Sequence, residues 1–248
     1  MVARRTITHI IRLSSTGSTN EVARKLASTG EGEGTVVKAG TQSAGRGRRS
    51  REWFSPEGGL WFSVILRPKF PAGRIPMLTL LAGVAVANAV RTFTGLEAGV
   101  CWPNDILVNG KKVCGILCEA GGYEKNKFVI LGIGINSDFH TGELPLELLK
   151  KPTTLRDELG HKVDSEQLFQ AVLSELDRLY GQSSKGVFEQ VLSEWAKLDV
   201  LKGKTVRVNT PSGELFGVAS GLDSDGSLLL EAEGKVKRVS AGDVQLIK

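Results

Sequence analysis

GTQSAGRGRRSREWFSPEGGLWFS, residues 40–63, is the stretch on which the reading of this chain turns. Its last residues open Leu60–Leu66 (LWFSVIL), an apolar run ended by Pro68 that predicts a buried strand. Ahead of that strand, Gly45 and Gly47 sit among Arg46, Arg48, Arg49 and Arg51, and Trp53, Phe54, Gly58 and Gly59 follow. Glycine lets a backbone approach a ligand closely. Arginine presents a fork of donors to phosphate or carboxylate, and an adjacent indole offers its face to a planar ring. The stretch reads as a loop that closes over a nucleotide-like anion, with a solvated basic turn as the competing reading of the arginines alone. It is not a P-loop, because no GK[ST] follows, and Ser50 stands where the third glycine of a dinucleotide fingerprint would fall.

Outward from this loop, Gly34–Gly40 (GTVVKAG) reads as a short buried strand and Thr8–Leu13 as another. Between them, Ser18-x-x-Glu21 has the form of a capping box, Val22, Ala23 and Leu26 give a helical apolar face, and Gly30 ends it. Ser18, Thr19 and Asn20 are therefore either helix caps or holders of a small polar ligand. Met77–Phe93 predicts a helix; its apolar run, Met77–Val90, is too short to span a bilayer and fits a buried core helix. Cys101–Asp105 predicts a turn into the strand Ile106–Val108, and Asn109-Gly110 a hairpin returning as Lys111–Ala120. Phe128–Ile135 is hydrophobic on both faces, as a buried strand requires.

Thr153–Leu159, Glu166–Tyr180 and Val187–Leu198 read as helices. After Asp199 the pattern changes to short strands at Thr205–Asn209, Leu215–Leu222, Ser227–Ala232 and Lys235–Ser240, separated by PSG, DSDG and EGK turns. That predicts a small antiparallel barrel of SH3-like type. The expected class is α+β: a catalytic domain over residues 1–198, with a mixed sheet and flanking helices, and a barrel over 199–248.

At 248 residues, with 41% hydrophobic and 24% charged side chains, the chain has the composition of a globular protein. A formal charge of +5 permits an acidic partner without demanding nucleic acid. The N-terminus lacks the apolar core of a signal peptide. Three cysteines, Cys101, Cys114 and Cys118, argue against a disulfide framework, and no histidine stands near them at zinc-ligand spacing. A reducing cytoplasmic setting is expected, with no membrane and no DNA as partner. His9, His140 and His161 are scattered and read as surface or loop residues.

Polar residues collect at Ser18–Asn20, Gln42–Arg51, Asn104–Asp105 with Lys112, and Gly132–Asn136. None supplies a Ser-His-Asp set or a Cys-His pair. The chain offers oriented positive charge, one acid and several glycines, which suits transfer at a phosphate catalysed by positioning and electrostatics.

Taken together and in order, GSTN (17–20), GTQSAGRGRRSREWFSP (40–56), WPND (102–105), GKKVCGIL (110–117) and GIGIN (132–136) resemble the biotin protein ligases. The resemblance runs from about residue 10 to the C-terminus and implies the biotin ligase fold, related to class II aminoacyl-tRNA synthetases. The family's DNA-binding helix-turn-helix has no counterpart, so a monofunctional ligase is expected. The implied reaction joins biotin and ATP into biotinyl-5′-AMP with release of pyrophosphate. A lysine of a biotin carboxyl carrier protein then takes the biotin.

Carried over by position, the resemblance assigns Ser18, Thr19, Gln42 and the backbone near Gly45 and Arg46 to the ureido ring of biotin. Asn20, Gly47, Gly132 and Gly134 complete that site. Arg46, Gly47 and Arg48 form the loop over the adenylate, with Arg48 on carboxylate and phosphate oxygens. Trp53 flanks the adenine, Asn104 and Asn136 join the ATP site, Lys112 donates to the carboxylate and α-phosphate, and Gly115 leaves room beside it. Asp105 is a candidate Mg²⁺ ligand or orienter of the carrier lysine, with a plain turn cap as its other reading. Lys112, Arg48 and Asp105 are the expected catalytic set, and a homodimer is expected from the same resemblance. Lys111 is expected on the opposite strand face.

Three positions depart from the family pattern: Cys101 where lysine is usual, Gly17 where an acid is common, and Ser50 where glycine is common. The alternatives are a ligase that uses lipoate or octanoate, a weakened biotin-binding protein, and a nucleic-acid module. Against the last, the barrel carries one aromatic residue, Phe216.

Overall fold

Two sheets organise the chain in the computed structural model, which describes residues 6–123, 126–144, 151–183 and 185–247. The first comprises β1 (His9–Thr16), β2 (Thr35–Gln42), β3 (Leu60–Leu66), β4 (Ala98–Cys101), β5 (Asp105–Val108), β6 (Lys111–Gly121) and β7 (Phe128–Ile135). Its order is β1-β2-β3-β7-β6-β5-β4. Only β1 and β2 are parallel, and the helix α1 (Thr19–Ser28) makes the crossover that a parallel pair needs. The hairpin between β5 and β6 turns on Asn109 (φ 51) and Gly110 (φ 74), both left-handed, as a two-residue turn of this type requires.

β3 and β7 are buried at every position because helices cover both faces. On one face α1 sets Ala23 and Ala27 against Val37, Ile65, Phe128 and Ile130. On the other lie α2 (Met77–Thr94), α4 (Ser165–Ser183) and α5 (Glu189–Leu198). The two-residue period of a strand then divides β3: Leu60, Phe62, Val64 and Leu66 join the large core under α2, leaving Trp61, Ser63 and Ile65 on the α1 face.

Residues Ala72–Thr94 are long and apolar enough to cross a bilayer, contrary to the expectation drawn from the apolar run alone. In the fold that surface is spent on the core, with residues from Met77 to Val90 buried against α4, α5 and the sheet. Met77–Thr94 is thus the core helix expected.

α3 (Leu155–Leu159) begins two residues later than expected, after Thr154 caps it by accepting from Asp157 N. β4 was not anticipated as a strand. Its four residues run directly into the turn at Trp102–Pro103, so no alternation develops to reveal it.

The second sheet contains β8 (Thr205–Thr210), β9 (Gly213–Leu222), β10 (Leu228–Ala232), β11 (Lys235–Val239) and β12 (Asp243–Leu246), antiparallel in the order β11-β10-β9-β8-β12. A ladder between β11 and β12, which would close a barrel, is absent among the described residues. The apolar core is continuous between the sheets: Val206, Leu228 and Leu230 belong to the same cluster as Val100 and Trp102. Trp102 Nε1 also donates to Gly226 O at 3.0 Å.

Glu166, in the first turn of α4, ties that helix to the edge of the first sheet through Lys38 Nζ (2.6 Å) and Arg12 Nη2 (2.7 Å). Partial burial alone would raise its carboxyl pKa, but the bonds from Lys38, Arg12 and Gln170 outweigh it and lower the value from 4.5 to about 2. A depressed carboxylate contributes stability above its unfolded value and loses it as pH falls toward its folded value. Melting of the wild type and Glu166→Gln should therefore differ at about pH 6 and converge as pH drops from 4.5 toward about 2. A gap that stays constant over that window would show that the pairing contributes nothing.

Candidate active site

The α1 face of the first sheet carries a trough. Strand register places Trp61, Gly134, Gly115 and Asp105 in one row across β3, β7, β6 and β5, and Ser63, Gly132 and Leu117 in the next. A Cβ on Gly134 would lie 2.4 Å from Trp53 Nε1, and one on Gly115 2.9 Å from the Trp53 ring. The indole thus lies in a groove that two paired glycines leave open. Its edge meets Trp61 with ring centroids 6.4 Å apart, and Lys112 Nζ stands 5.0 Å from its centroid, as a cation over a ring does. Among the described residues, Trp53 Nε1 is buried with no hydrogen-bond partner. An orphaned donor of this kind costs about 1–3 kcal/mol and invites a ligand acceptor.

At one end of the trough the polar residues of the α1 N-terminus meet β2 and β3. Gln42 Oε1 accepts from Thr19 N at 2.8 Å, and Gln42 Nε2 donates to Ser55 Oγ at 2.8 Å. Ser63 Oγ lies 2.8 Å from Thr19 Oγ1 and 2.6 Å from Asn20 Oδ1. A Cβ on Gly132 would fall 2.1 Å from that same Asn20 oxygen, so the glycine makes room for the amide. The capping-box reading is corrected here. Ser18 occupies the N-cap position, but its side chain caps nothing, and Glu21 turns outward to pair with Arg46. The outward pull of a guanidinium has replaced the reciprocal backbone bonds of a box.

At the other end stand the cations. Lys112 Nζ is 2.6 Å from Asp105 Oδ1, and Asp105 is buried. Arg48 donates to Asn104 Oδ1 (3.1 Å) and to Gly242 O (3.2 Å), while Asn104 is held by its own donation to Ile116 O (2.9 Å). Asp243, at the start of β12, faces three guanidiniums: Arg48 at 3.6 Å, Arg49 at 3.1 Å and Arg51 at 2.5 Å. Burial lowers the Arg48 pKa, while the charge of Asp243 acts in the opposite sense. Arg49 (φ 55) and Ser50 (φ 58) are both left-handed, which explains why glycine suits the Ser50 position.

These ends and the trough enclose one cavity of about 560 Å³, walled on the far side by Asn209, Asp243, Val244 and Gln245 of the second sheet. It brings together Ser18, Thr19, Asn20, Gln42, Arg46, Gly47, Arg48, Trp53, Asn104, Asp105, Lys112, Gly115, Gly132, Gly134 and Asn136, all expected from sequence. Gly45 does not line it. That residue is buried beneath the loop, where a Cβ would come 2.2 Å from Trp53 O. Lys111 points away to Glu158, 2.9 Å distant. Cys101 packs into the main core, and none of Cys101, Gly17 and Ser50, the positions that depart from the family pattern, lines the cavity. Among the described residues, no group of three or more His, Cys, Asp or Glu side chains forms a metal-binding set.

Sequence reasoning missed Ser63, Glu119 and Asp243. The first two carried a signal, a polar residue inside an otherwise apolar strand. Asp243 carried none, because its partners lie about 190 residues away.

The Biotin/lipoate A/B protein ligase family matches residues 12–136, and the Biotin protein ligase C terminal domain matches residues 202–247. A biotin–[acetyl-CoA-carboxylase] ligase of Paracoccus denitrificans is 32% identical over 242 residues, which are 94% of this chain and 98% of that protein. The chain belongs to the biotin protein ligase family. Within that family, a bifunctional ligase/repressor of Bacillus subtilis is 39% identical over 240 residues, 96% of this chain and 74% of that protein. The biotin protein ligase of Aquifex aeolicus, solved in complex with biotin and ATP, superposes with a TM-score of 0.84 at 30% identity, over 97% of this chain and 99% of that one.

The shared carboxylate of Asp243 is the anchor of the arginine loop. Asp243→Ala should speed limited tryptic cleavage after Arg48, Arg49 or Arg51 roughly five-fold, since loss of a charge network of about 1 kcal/mol raises the open fraction by that factor. Cleavage at the wild-type rate would show that the clasp does not restrain the loop.

Proposed function

We propose that this chain is an ATP-dependent biotin–protein ligase. The observation that carries the reading is the single cavity in which a compact polar cluster, a glycine trough and the cations Arg48 and Lys112 are continuous. A carboxylic acid with a small polar head fits that order, with its head on Thr19, Asn20 and Gln42 and its carboxylate toward Lys112. A carboxylate oxygen of biotin attacks the α-phosphorus of ATP. The bond from that phosphorus to the bridging oxygen breaks, and pyrophosphate leaves. A lysine amine of a biotin carboxyl carrier protein then attacks the carbonyl of the mixed anhydride, forming the amide and releasing AMP.

Two anions must approach each other in the first step. Arg48 and Lys112 offset their repulsion, and each charge aimed at the reacting atoms contributes about 3 kcal/mol to the rate. These cations pair with Asp243 and Asp105, so substrate oxygens replace carboxylates instead of meeting bare charge. Asp105, the carboxylate beside Lys112, would hold the Mg²⁺ of Mg-ATP, and the ion would neutralise charge on the leaving phosphates. Trp53 takes the adenine side of the trough, with Asn104 and Asn136 beside the nucleotide. Residues 1–198 act as the catalytic unit and 199–248 as a unit that walls the nucleotide end. The same reading places the enzyme in the cytoplasm as a homodimer, with light scattering as the check on assembly.

A lipoate-type reading competes because the family includes lipoate ligases. The amide and hydroxyl cluster favours biotin, since a dithiolane head makes no use of it. Purified chain with biotin, ATP and Mg²⁺ should release pyrophosphate and label a carrier domain. Release with lipoate but not with biotin would overturn the reading. Lys112→Ala should lower the rate of pyrophosphate release roughly 100-fold or more. Arg48→Ala should let the adenylate escape to solution, and wild-type retention of adenylate in that variant would remove the role.

A further inference from the structure

Glu119 stands on β6, two residues beyond Leu117 on the trough-facing side, and no step of the proposed reaction uses it. Its side chain is 19% exposed. One carboxylate oxygen accepts from Asn20 Nδ2 at 2.8 Å, and the other faces Arg24 at 3.1 Å and Arg46 at 3.7 Å. An ionised carboxylate has no proton to give. The Asn20 amide must therefore turn its NH₂ to Glu119 and its oxygen inward, where Ser63 Oγ lies 2.6 Å away. The reverse flip would set two acceptors against each other.

That choice propagates. An amide oxygen only accepts, so the single hydroxyl proton of Ser63 is committed to Asn20. Thr19 Oγ1, 2.8 Å away, faces the same Ser63 hydroxyl, whose one proton cannot serve both oxygens. From the other side, Thr19 N donates to Gln42 Oε1, which turns the Gln42 NH₂ to Ser55 Oγ, and Ser55 passes its own proton to Trp53 O at 3.0 Å. The Thr19 hydroxyl gives its own proton to Gln42 Oε1 at 3.1 Å, and Thr19 Oγ1 stays open as an acceptor. Along this chain of hydroxyls one acceptor is left over, and a ligand that brings N–H donors completes it.

We infer that Glu119 is a positioning residue that sets the polarity of the head-group site, making it an acceptor array for the ring N–H groups of a cyclic urea. This rests on the biotin reading above and says what in the chain enforces it. The carboxylate acts through Asn20 and need not touch the ligand. Arg46 joins the arrangement to the arginine loop, because the same guanidinium reaches Glu119 and Glu21.

A donor–acceptor exchange tests this. Asn20→Asp sets carboxylate against carboxylate, whereas Asn20→Asp with Glu119→Gln restores one donor and one acceptor with their places reversed and keeps an acceptor for Ser63. With pyrophosphate release as the assay, Asn20→Asp should raise the KM for biotin about ten-fold or more while the KM for ATP changes less than about three-fold. The double variant should return the biotin KM to within about three-fold of wild type. A double variant no better than Asn20→Asp, with both melting as the wild type does, would overturn the inference. If Asn20→Asp does not fold, calorimetry with Glu119→Ala decides: a biotin Kd raised about ten-fold supports the role, and a wild-type Kd refutes it. A wild-type chain that uses no biotin overturns the functional reading and this inference with it. Normal biotin use with a normal Glu119→Ala variant overturns this inference alone.

Discussion

The site exists because β7, buried on both faces, and its neighbour β6 carry glycine where they pass beneath the loop. Gly115 and Gly134 face each other across β6 and β7, and Gly132 follows one pleat along. Strands covered by helices on both sides would ordinarily fill such positions with branched side chains. Removing three side chains from one face opens a groove without weakening the other, where Val129, Leu131, Ile133 and Ile135 pack under α2. The pleat thus lets the same eight residues build core on one side and cavity on the other. Trp53, Asn20 and Lys112 all take their places from that vacancy.

The second sheet completes the cavity and does more than stand beside it. Its core residues belong to the same apolar cluster as the turn that carries Asn104 and Asp105, and Trp102 reaches across to a backbone carbonyl of the β9–β10 turn. The acid that holds the arginine loop sits on its last strand. Position and charge at the nucleotide end therefore derive from residues far apart in the chain, brought together by one continuous hydrophobic contact.

Most of the fold was legible where burial and period agree. Leu60–Leu66 and Phe128–Ile135 have the bounds expected, because runs apolar at every position have one natural reading between turn residues. The site was legible through local polar clusters at element ends, nearly all of which converge. What escaped depends on tertiary context. β4 and β12, four residues each, are too short to show a period. Ser18 and Glu21 have capping-box spacing, yet a distant arginine draws Glu21 away. Ser63 and Glu119 looked like interruptions in apolar strands, and their meaning appeared only when Asn20 was placed between them.

The arginine loop has a further consequence for what the protein meets in solution. Arg46 is matched to Glu21 and Glu119, whereas Arg48, Arg49 and Arg51 share the one carboxylate of Asp243. Three positive charges against one leave a local excess at the cavity mouth, so part of the formal charge of +5 is focused there. An anion small enough to enter meets the same arginines from within, away from bulk water, where Coulomb attraction is stronger. The loop selects among anions by attraction at the mouth and by access inside it.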